Sequence, residues 1–236
     1  MADPFGRALL DYHRGEKEAP LFQVDGDERL THPVGSFYFE SFDSLAGADW
    51  IASWLDGPLL DVGAGAGRDA LSFQQRYETV ALEISDPLVA LLAERGVERV
   101  RHGDMFALRD LFDRDRFRSA LIVGTQASLA ASMHCLRAFL GDLAHVTAPD
   151  ATAVLDTYDP GYGDAEEMLG FRPDPTPGLA FRVLHYEYEG DVGETLLFRL
   201  FGPDRLREAT AGTGWTVAEI RRPHDTYHYR AALRKR

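Results

Sequence analysis

The chain has 236 residues, 45% of them apolar, which is enough for one sizeable core, or a core plus a small cap. No apolar run is long enough to span a bilayer. Formal net charge is −13, with the acids spread along the chain, and lysine occurs only at Lys17 and Lys235. Such a surface opposes non-specific binding to nucleic acid or anionic membrane, so neither is expected as a partner. Abundant carboxylates with few lysines are also a pattern of salt-loving cytoplasms. An ordinary acidic protein from a GC-rich genome is the other reading. The opening MADPFGRALLDYHRG has no apolar stretch of signal-peptide length behind a basic region. It is expected to belong to the mature protein, with a cytoplasmic location. Cys135 is the only cysteine and is expected to be a buried, inert thiol.

Residues 1–41 read as irregular and aromatic-rich, a cap segment rather than core. Phe42, Leu45, Trp50, Ile51, Trp54 and Leu55 recur near helical spacing, and Gly57-Pro58 stops that helix. Pro58 to Val62 reads as a buried parallel strand ending at glycines, followed by a helix from Arg68 to about Tyr77. Thr79 to Ile84 is a second strand, and Ser85-Asp86-Pro87 starts a helix that Gly96 ends. Val97 to Val100 is a weak third strand and Ser119 to Val123 the fourth. Leu136, Phe139, Leu140, Leu143 and Ala144 form a helical stripe before a fifth strand, Ala151 to Asp156. Leu179 to Glu187 and Glu194 to Phe201 alternate around Gly190 and Gly193, as a β-hairpin does. Pro203 to Ala211 reads as a helix, and Trp215 to Ile220 and Tyr227 to Leu233 as an antiparallel pair. The alternation implies one doubly wound α/β domain over residues 1–236. Its core spans 42–157, its hairpin insertion 158–201, and its closing helix and strands 202–236.

The chemistry concentrates in LLDVGAGAGRDAL, Leu59 to Leu71. Gly63, Gly65 and Gly67 follow a strand and open a helix, where a turn without Cβ atoms lets a ligand approach the backbone. Gly65-x-Gly67-x-x-Ala70 also fits a dinucleotide fingerprint, which keeps a nicotinamide-dependent oxidoreductase open. Against it, the dinucleotide pattern should begin immediately after the strand, and the register from Gly63 puts Arg68 where a third small residue belongs. The Asp61 carboxylate also suits an ammonium and a sulfonium better than a pyrophosphate. Glu83, at the end of the second strand, can accept from both ribose hydroxyls. Asp104 can accept from an adenine amino group while Met105 packs on the ring, and Gly124-Thr125 faces the same crevice.

In this order of motifs the chain resembles the class I S-adenosylmethionine-dependent methyltransferases, over roughly residues 42–160 and again from Pro203. The resemblance is narrowest to small prokaryotic members that carry a hairpin after the fifth strand. It implies a Rossmann-like seven-stranded sheet, mostly parallel, whose last strand inserts antiparallel between the fourth and fifth. It implies S-adenosylmethionine held by Asp61, Gly63, Ala64, Gly65, Gly67, Glu83, Ile84, Asp104, Met105, Gly124 and Thr125. It also implies methyl transfer to an O, N or S atom. With the charge excluding nucleic acid, the acceptor is expected to be a small molecule, met by a monomer or homodimer. A protein that holds the nucleoside without turnover remains open.

Weaker signals surround this core. Asp159-Pro160-Gly161-Tyr162 resembles the (D/N)PP(Y/F) motif of amino-methyltransferases, but it follows the wrong strand and reads as a turn. His13, His134, His185 and His228 are candidate bases, with His134 favoured because it follows the fourth strand. Tyr12, Tyr38, Tyr158 and Tyr162 are candidates to line the acceptor site. No histidine–carboxylate spacing suggests a metal.

Overall fold

A computed structural model describes residues 2–223 and 226–236. Seven strands form the larger sheet: β3 (Leu59–Val62), β4 (Thr79–Glu83), β5 (Val100–His102), β6 (Phe117–Ile122), β7 (Thr147–Tyr158), β12 (Trp215–Arg221) and β13 (His228–Lys235). Their order is β12-β13-β7-β6-β3-β4-β5. The β3/β4, β4/β5, β3/β6 and β6/β7 pairs are parallel, while β13 runs antiparallel to both β7 and β12. The last strand therefore inserts between the fifth and sixth strands of this sheet, not between the fourth and fifth as expected. β13 pairs with β12 along one edge and with β7 along the other.

The strands are apolar throughout because both faces are covered. Leu60, Val62, Ala120, Ile122, Ala153 and Leu155 pack toward α6 (Met133–Val146) and α7 (Pro203–Thr210). Their neighbours Leu59, Leu121, Val154 and Ala232 pack the other way, with Phe42, Trp50, Ile51 and Phe73. The helix expected over residues 42–55 is a 3-10 turn, Phe42–Ser44, followed by α2, Ala48–Ser53, because Gly47 in the left-handed region breaks it. The next helix, α3, spans Arg68–Phe73 rather than reaching Tyr77. The third strand begins at Val100; Val97 instead packs against Leu92 of α4 (Asp86–Glu94) and Ala70. A further correction concerns a side-chain direction: Cys135 is exposed, since Leu136, Phe139 and Leu140 take the inward face of α6. Met105 is buried and packs with the main core.

Residues 1–41 are not irregular. Asp3 caps α1 (Pro4–Arg14) by accepting from the Gly6 N–H at 2.8 Å, Pro4 occupies the first turn and Gly15 ends the helix. β1 (Phe22–Asp25) and β2 (Glu28–Thr31) form a hairpin that joins the insertion after β7. There β9 (Leu179–Tyr188) pairs with β1, β8 (Phe171–Pro173), β10 (Asp191–Val192) and β11 (Leu196–Phe201), all antiparallel. What reads as a lone hairpin is thus the centre of a six-stranded second sheet. The Tyr229 hydroxyl donates to the Phe201 carbonyl at 2.9 Å, tying the two sheets together. Among the described residues, no helix is long and apolar enough to cross a membrane.

Candidate functional site

β4 and β6 flank β3 on opposite sides, so the chain reverses its direction of sheet growth there. The crevice at the carboxyl ends of strands at such a switch is where open α/β sheets hold ligands. The glycine loop lies in it. Gly65 N donates to Glu83 Oε2 at 2.9 Å, and Glu83 Oε1 accepts from the Ile84 and Ser85 amides at 2.9 and 3.0 Å. Glu83 therefore ties the loop to the end of β4 and keeps acceptor capacity at Oε2. Burial raises its carboxyl pKa; the three amides work against that. Beside it Ile84 is 61% exposed, an apolar surface with no protein cover. Ala64 donates its amide to the Leu82 carbonyl at 3.1 Å, which closes the turn.

Asp61 is almost fully buried, and its Oδ2 has no hydrogen-bond partner among the described residues. Burial first, then the neighbouring Asp69 charge, pushes its carboxyl well above the usual range, against the pull of Arg68. The Arg68 guanidinium is held by both oxygens of Asp69, at 2.8 and 3.1 Å, and reaches the Phe37 carbonyl at 3.0 Å. The residue that spoils the dinucleotide register thus links the glycine loop to the N-terminal segment.

Asp104 is exposed at the end of β5, where its Oδ1 accepts from the Phe106 amide at 2.9 Å. Phe106, not Met105, is the exposed ring next to it. After β6, the Gly124 and Thr125 amides donate to Asp156, at 3.1 and 2.6 Å. Asp156 Oδ2 also accepts from His228 Nε2 at 3.1 Å. Burial opposes the charge on Asp156, but His228 and the two amides outweigh it and hold its carboxyl below the usual range. The Asp156 carboxylate accepts from His228 Nε2, so in the neutral ring Nδ1 is the acceptor nitrogen. Gln126 was not foreseen. Its side chain lies over Gly63, so close that a Cβ there would sit 2.5 Å from Cδ.

The candidate bases separate clearly. His134 is exposed on the first turn of α6, with no hydrogen bond or ring contact among the described residues. His13 stacks on Phe39, and His185 bonds Glu187 at 3.2 Å. His228 alone of the four is placed by a buried carboxylate at the crevice. Tyr12 packs on Phe39 and is 43% exposed. Tyr162 lies under the Arg222 guanidinium, in the Asp159–Tyr162 turn. Tyr158 stands between Tyr227 and His228, its ring 5.6 Å from each. Tyr38 hydrogen-bonds His32 at 2.8 Å. His32 was missed, and burial, then the Arg182 charge, lowers its pKa to about 4.

The chain has the fold of the class I S-adenosylmethionine-dependent methyltransferases. It is similar to a methyltransferase from Bacteroides fragilis solved with S-adenosylhomocysteine, at 23% identity over 98% of this chain and 94% of that one, with a TM-score of 0.80. It is also similar to an amino pentose methyltransferase of calicheamicin biosynthesis from Micromonospora echinaspora, solved with its methyl donor bound. There the identity is 19% over 89% and 99% of the two chains, with a TM-score of 0.59. A third similar structure is the 1,6-didemethyltoxoflavin N1-methyltransferase of Burkholderia thailandensis, at 19% identity over 100% and 91%, with a TM-score of 0.57. No protein-family model matches the chain, and no curated protein is similar to it in sequence.

Proposed function

We propose that the protein transfers a methyl group from S-adenosylmethionine to an O, N or S atom of a small-molecule acceptor. The observation that carries this reading is the buried Asp61 oxygen without a partner, beside a glycine loop held by Glu83. An unpaired buried carboxylate is costly, and a cationic ligand group relieves the cost. The residues fit the donor. Asp61 takes its ammonium, Glu83 Oε2 a ribose hydroxyl, and Ile84 and Phe106 offer apolar surface to the base, with Asp104 at its edge. Gly63, Ala64, Gly65 and Gly67 shape the loop, and Gly124 and Thr125 close the far side. Bound there, the sulfonium supplies an already activated methyl group, so no protein nucleophile is required.

The chain's own task is to orient the acceptor and to take its proton. His228 Nδ1 is the base best prepared for this, in place of His134. His228→Ala is expected to lower kcat by about 10²–10⁴ and to spare cofactor affinity. Calorimetry and steady-state kinetics check this; an unchanged kcat would return His228 to a structural role. The acceptor is met between the N-terminal segment and the second sheet, where Tyr38 and Tyr158 lie. Similar structures include an enzyme of toxoflavin and one of an amino pentose, both small acceptors. The reading is tested by offering labelled donor to small-molecule, protein and nucleic-acid fractions of the source cells. Label in the small-molecule fraction supports it, and label in macromolecules alone overturns it.

The carboxylate excess supports a protein adapted to a salty cytoplasm. The thermal midpoint is expected to rise between dilute buffer and molar potassium chloride, as repulsion among carboxylates is screened. A flat or falling midpoint contradicts the adaptation and leaves the methyl transfer untouched.

A further inference from the structure

The second sheet contains four arginines on its strands, and three are paired. Arg29 meets Glu187, Arg172 meets Asp25 at 2.7 Å and Arg199 meets Asp174 at 2.8 Å. Arg182 meets no carboxylate among the described residues, although the chain carries 38. It stands on β9 in register with Ala180, Leu184 and Tyr186, residues that pack with Leu129, Met168 and Tyr158 in the layer between the sheets. A half-buried guanidinium on an otherwise apolar face costs free energy unless something compensates it.

What compensates it in part is neutral. Arg182 Nε donates to the Leu169 carbonyl at 2.9 Å and Nη2 to Gln23 Oε1 at 2.9 Å. The buried Gln23 spends its own Nε2 on the Tyr186 hydroxyl at 3.2 Å. Tyr186 therefore accepts from Gln23 and keeps its O–H to donate elsewhere. Arg182 keeps the rest of its fork, since one of its groups binds Leu169 and one binds Gln23. Gln23 thus orients a guanidinium and a hydroxyl that both remain donors. The rings around them are close. Tyr186 lies 4.8 Å from Phe5 and 5.4 Å from His32, and His32 lies 5.6 Å from Tyr38. Burial keeps Tyr38, Tyr158 and Tyr186 protonated and His32 neutral, so none of them supplies the missing negative charge.

We propose that Arg182 and Tyr186 form an acid-binding subsite, and that the methyl acceptor is a small planar molecule carrying a carboxylate or similar acidic group. Resting on the methyl-transfer reading, this names the acceptor's class. The acidic group is drawn to the one strand arginine of the second sheet without a carboxylate partner among the described residues, and the ring is received by Phe5, Tyr38 and Tyr158. Tyr158 also neighbours His228, its ring 5.6 Å away, which sets the base beside the residues that receive the ring. An arginine fork matches a carboxylate in two-pronged fashion, which lysine does not reproduce.

The test uses matched pairs, each a small aromatic acid and its amide: benzoate, 4-hydroxybenzoate and indole-3-carboxylate. Their affinities are measured by thermal shift and calorimetry on the full chain saturated with S-adenosylhomocysteine. Binding of S-adenosylhomocysteine to the wild type is measured first, and its absence counts against the cofactor reading alone. The acid–amide comparison is then made on the free protein. At least one acid is expected to bind roughly tenfold or more tightly than its amide. Arg182→Gln removes the difference, Arg182→Lys keeps part of it, and neither changes S-adenosylhomocysteine affinity. Tyr186→Phe keeps the ring and weakens the acid several-fold, a second readout should Arg182→Gln fold poorly. The proposal falls if no acid outperforms its amide, or if the difference survives Arg182→Gln. It also falls if Arg182→Gln weakens S-adenosylhomocysteine as strongly as the acid, because the anion bound is then the cofactor's own carboxylate.

Discussion

Gly65→Val is expected to stay folded and to lose cofactor binding by more than about 100-fold, while Gly67→Val is expected to be destabilised far more strongly. Both glycines have positive φ, +57° and +79°, so a side chain at either pays roughly 1–2 kcal/mol of backbone strain. The two differ in what a side chain meets. A Cβ on Gly65 finds no protein atom nearer than the Gly63 carbonyl oxygen at 4.0 Å. The space belongs to the crevice, and a valine there stands in the path of the ligand. A Cβ on Gly67 lies 2.6 Å from Leu92 Cδ2 and 3.0 Å from Val97 Cγ2, both in the packed layer beneath the sheet. Overpacking adds about 1–3 kcal/mol or more to the strain, a large share of the roughly 5–15 kcal/mol that holds a domain together. Thermal midpoints should therefore fall by a few degrees for Gly65→Val and much further for Gly67→Val. Calorimetry with S-adenosylhomocysteine then reads the loop directly. Normal binding by Gly65→Val would make the loop a turn and nothing more.

The loop was legible in the sequence because its message is local. Asp61, the three glycines and Glu83 lie within one strand–helix–strand unit, and strands buried on both faces announce themselves as apolar runs. The catalytic and acceptor regions are not local. Asp156 and His228 are 72 residues apart, and Gln23 and Arg182 are 159 apart, so no spacing rule joins them. β1 takes its place from pairing with β9, and β2 from pairing with β1, which explains why residues 22–31 read as irregular. α1 is a different case. Asp3, Pro4 and Gly15 are helix signals in the sequence, and Phe5, Ala8, Leu9 and Tyr12 keep an apolar stripe at i, i+3, i+4 and i+7, so this helix was legible and was missed. Met105 and Cys135 show a third limit. Motif position says that a residue is near the crevice, while the direction of its side chain is set by packing. Met105 is buried while Phe106 beside it is exposed.

Asp61→Asn is expected to gain on the wild type in stability as pH rises, and to bind the cofactor more weakly; one buried charge causes both effects. Asp61 Oδ2 has no partner, and the Arg68 guanidinium that might neutralise it is taken by both oxygens of Asp69. Burial, then Asp69, and further Glu83, raise the Asp61 carboxyl well above its ordinary 3.8; Arg68 and the Ala70 amide pull the other way. A carboxyl with a folded pKa above its unfolded one holds its proton more tightly in the native state. Its contribution to stability is fully present when protonated and is lost as pH climbs from about 3.8 through the raised folded value. Asparagine carries no such charge, so the difference between the two midpoints should widen with pH and then level off. Binding reverses the balance. A cationic ammonium beside Asp61 favours the carboxylate, so the wild type should release a proton on binding. Its affinity should climb by up to about tenfold per pH unit below the free-protein pKa, then flatten. Calorimetry in two buffers of different ionisation enthalpy reads the released proton. In Asp61→Asn the release disappears, and affinity at neutral pH falls by about 1.5–3 kcal/mol. A wild type that binds without proton release and without pH dependence would mean that the ammonium sits elsewhere. The unpartnered oxygen would then have no ligand to explain it.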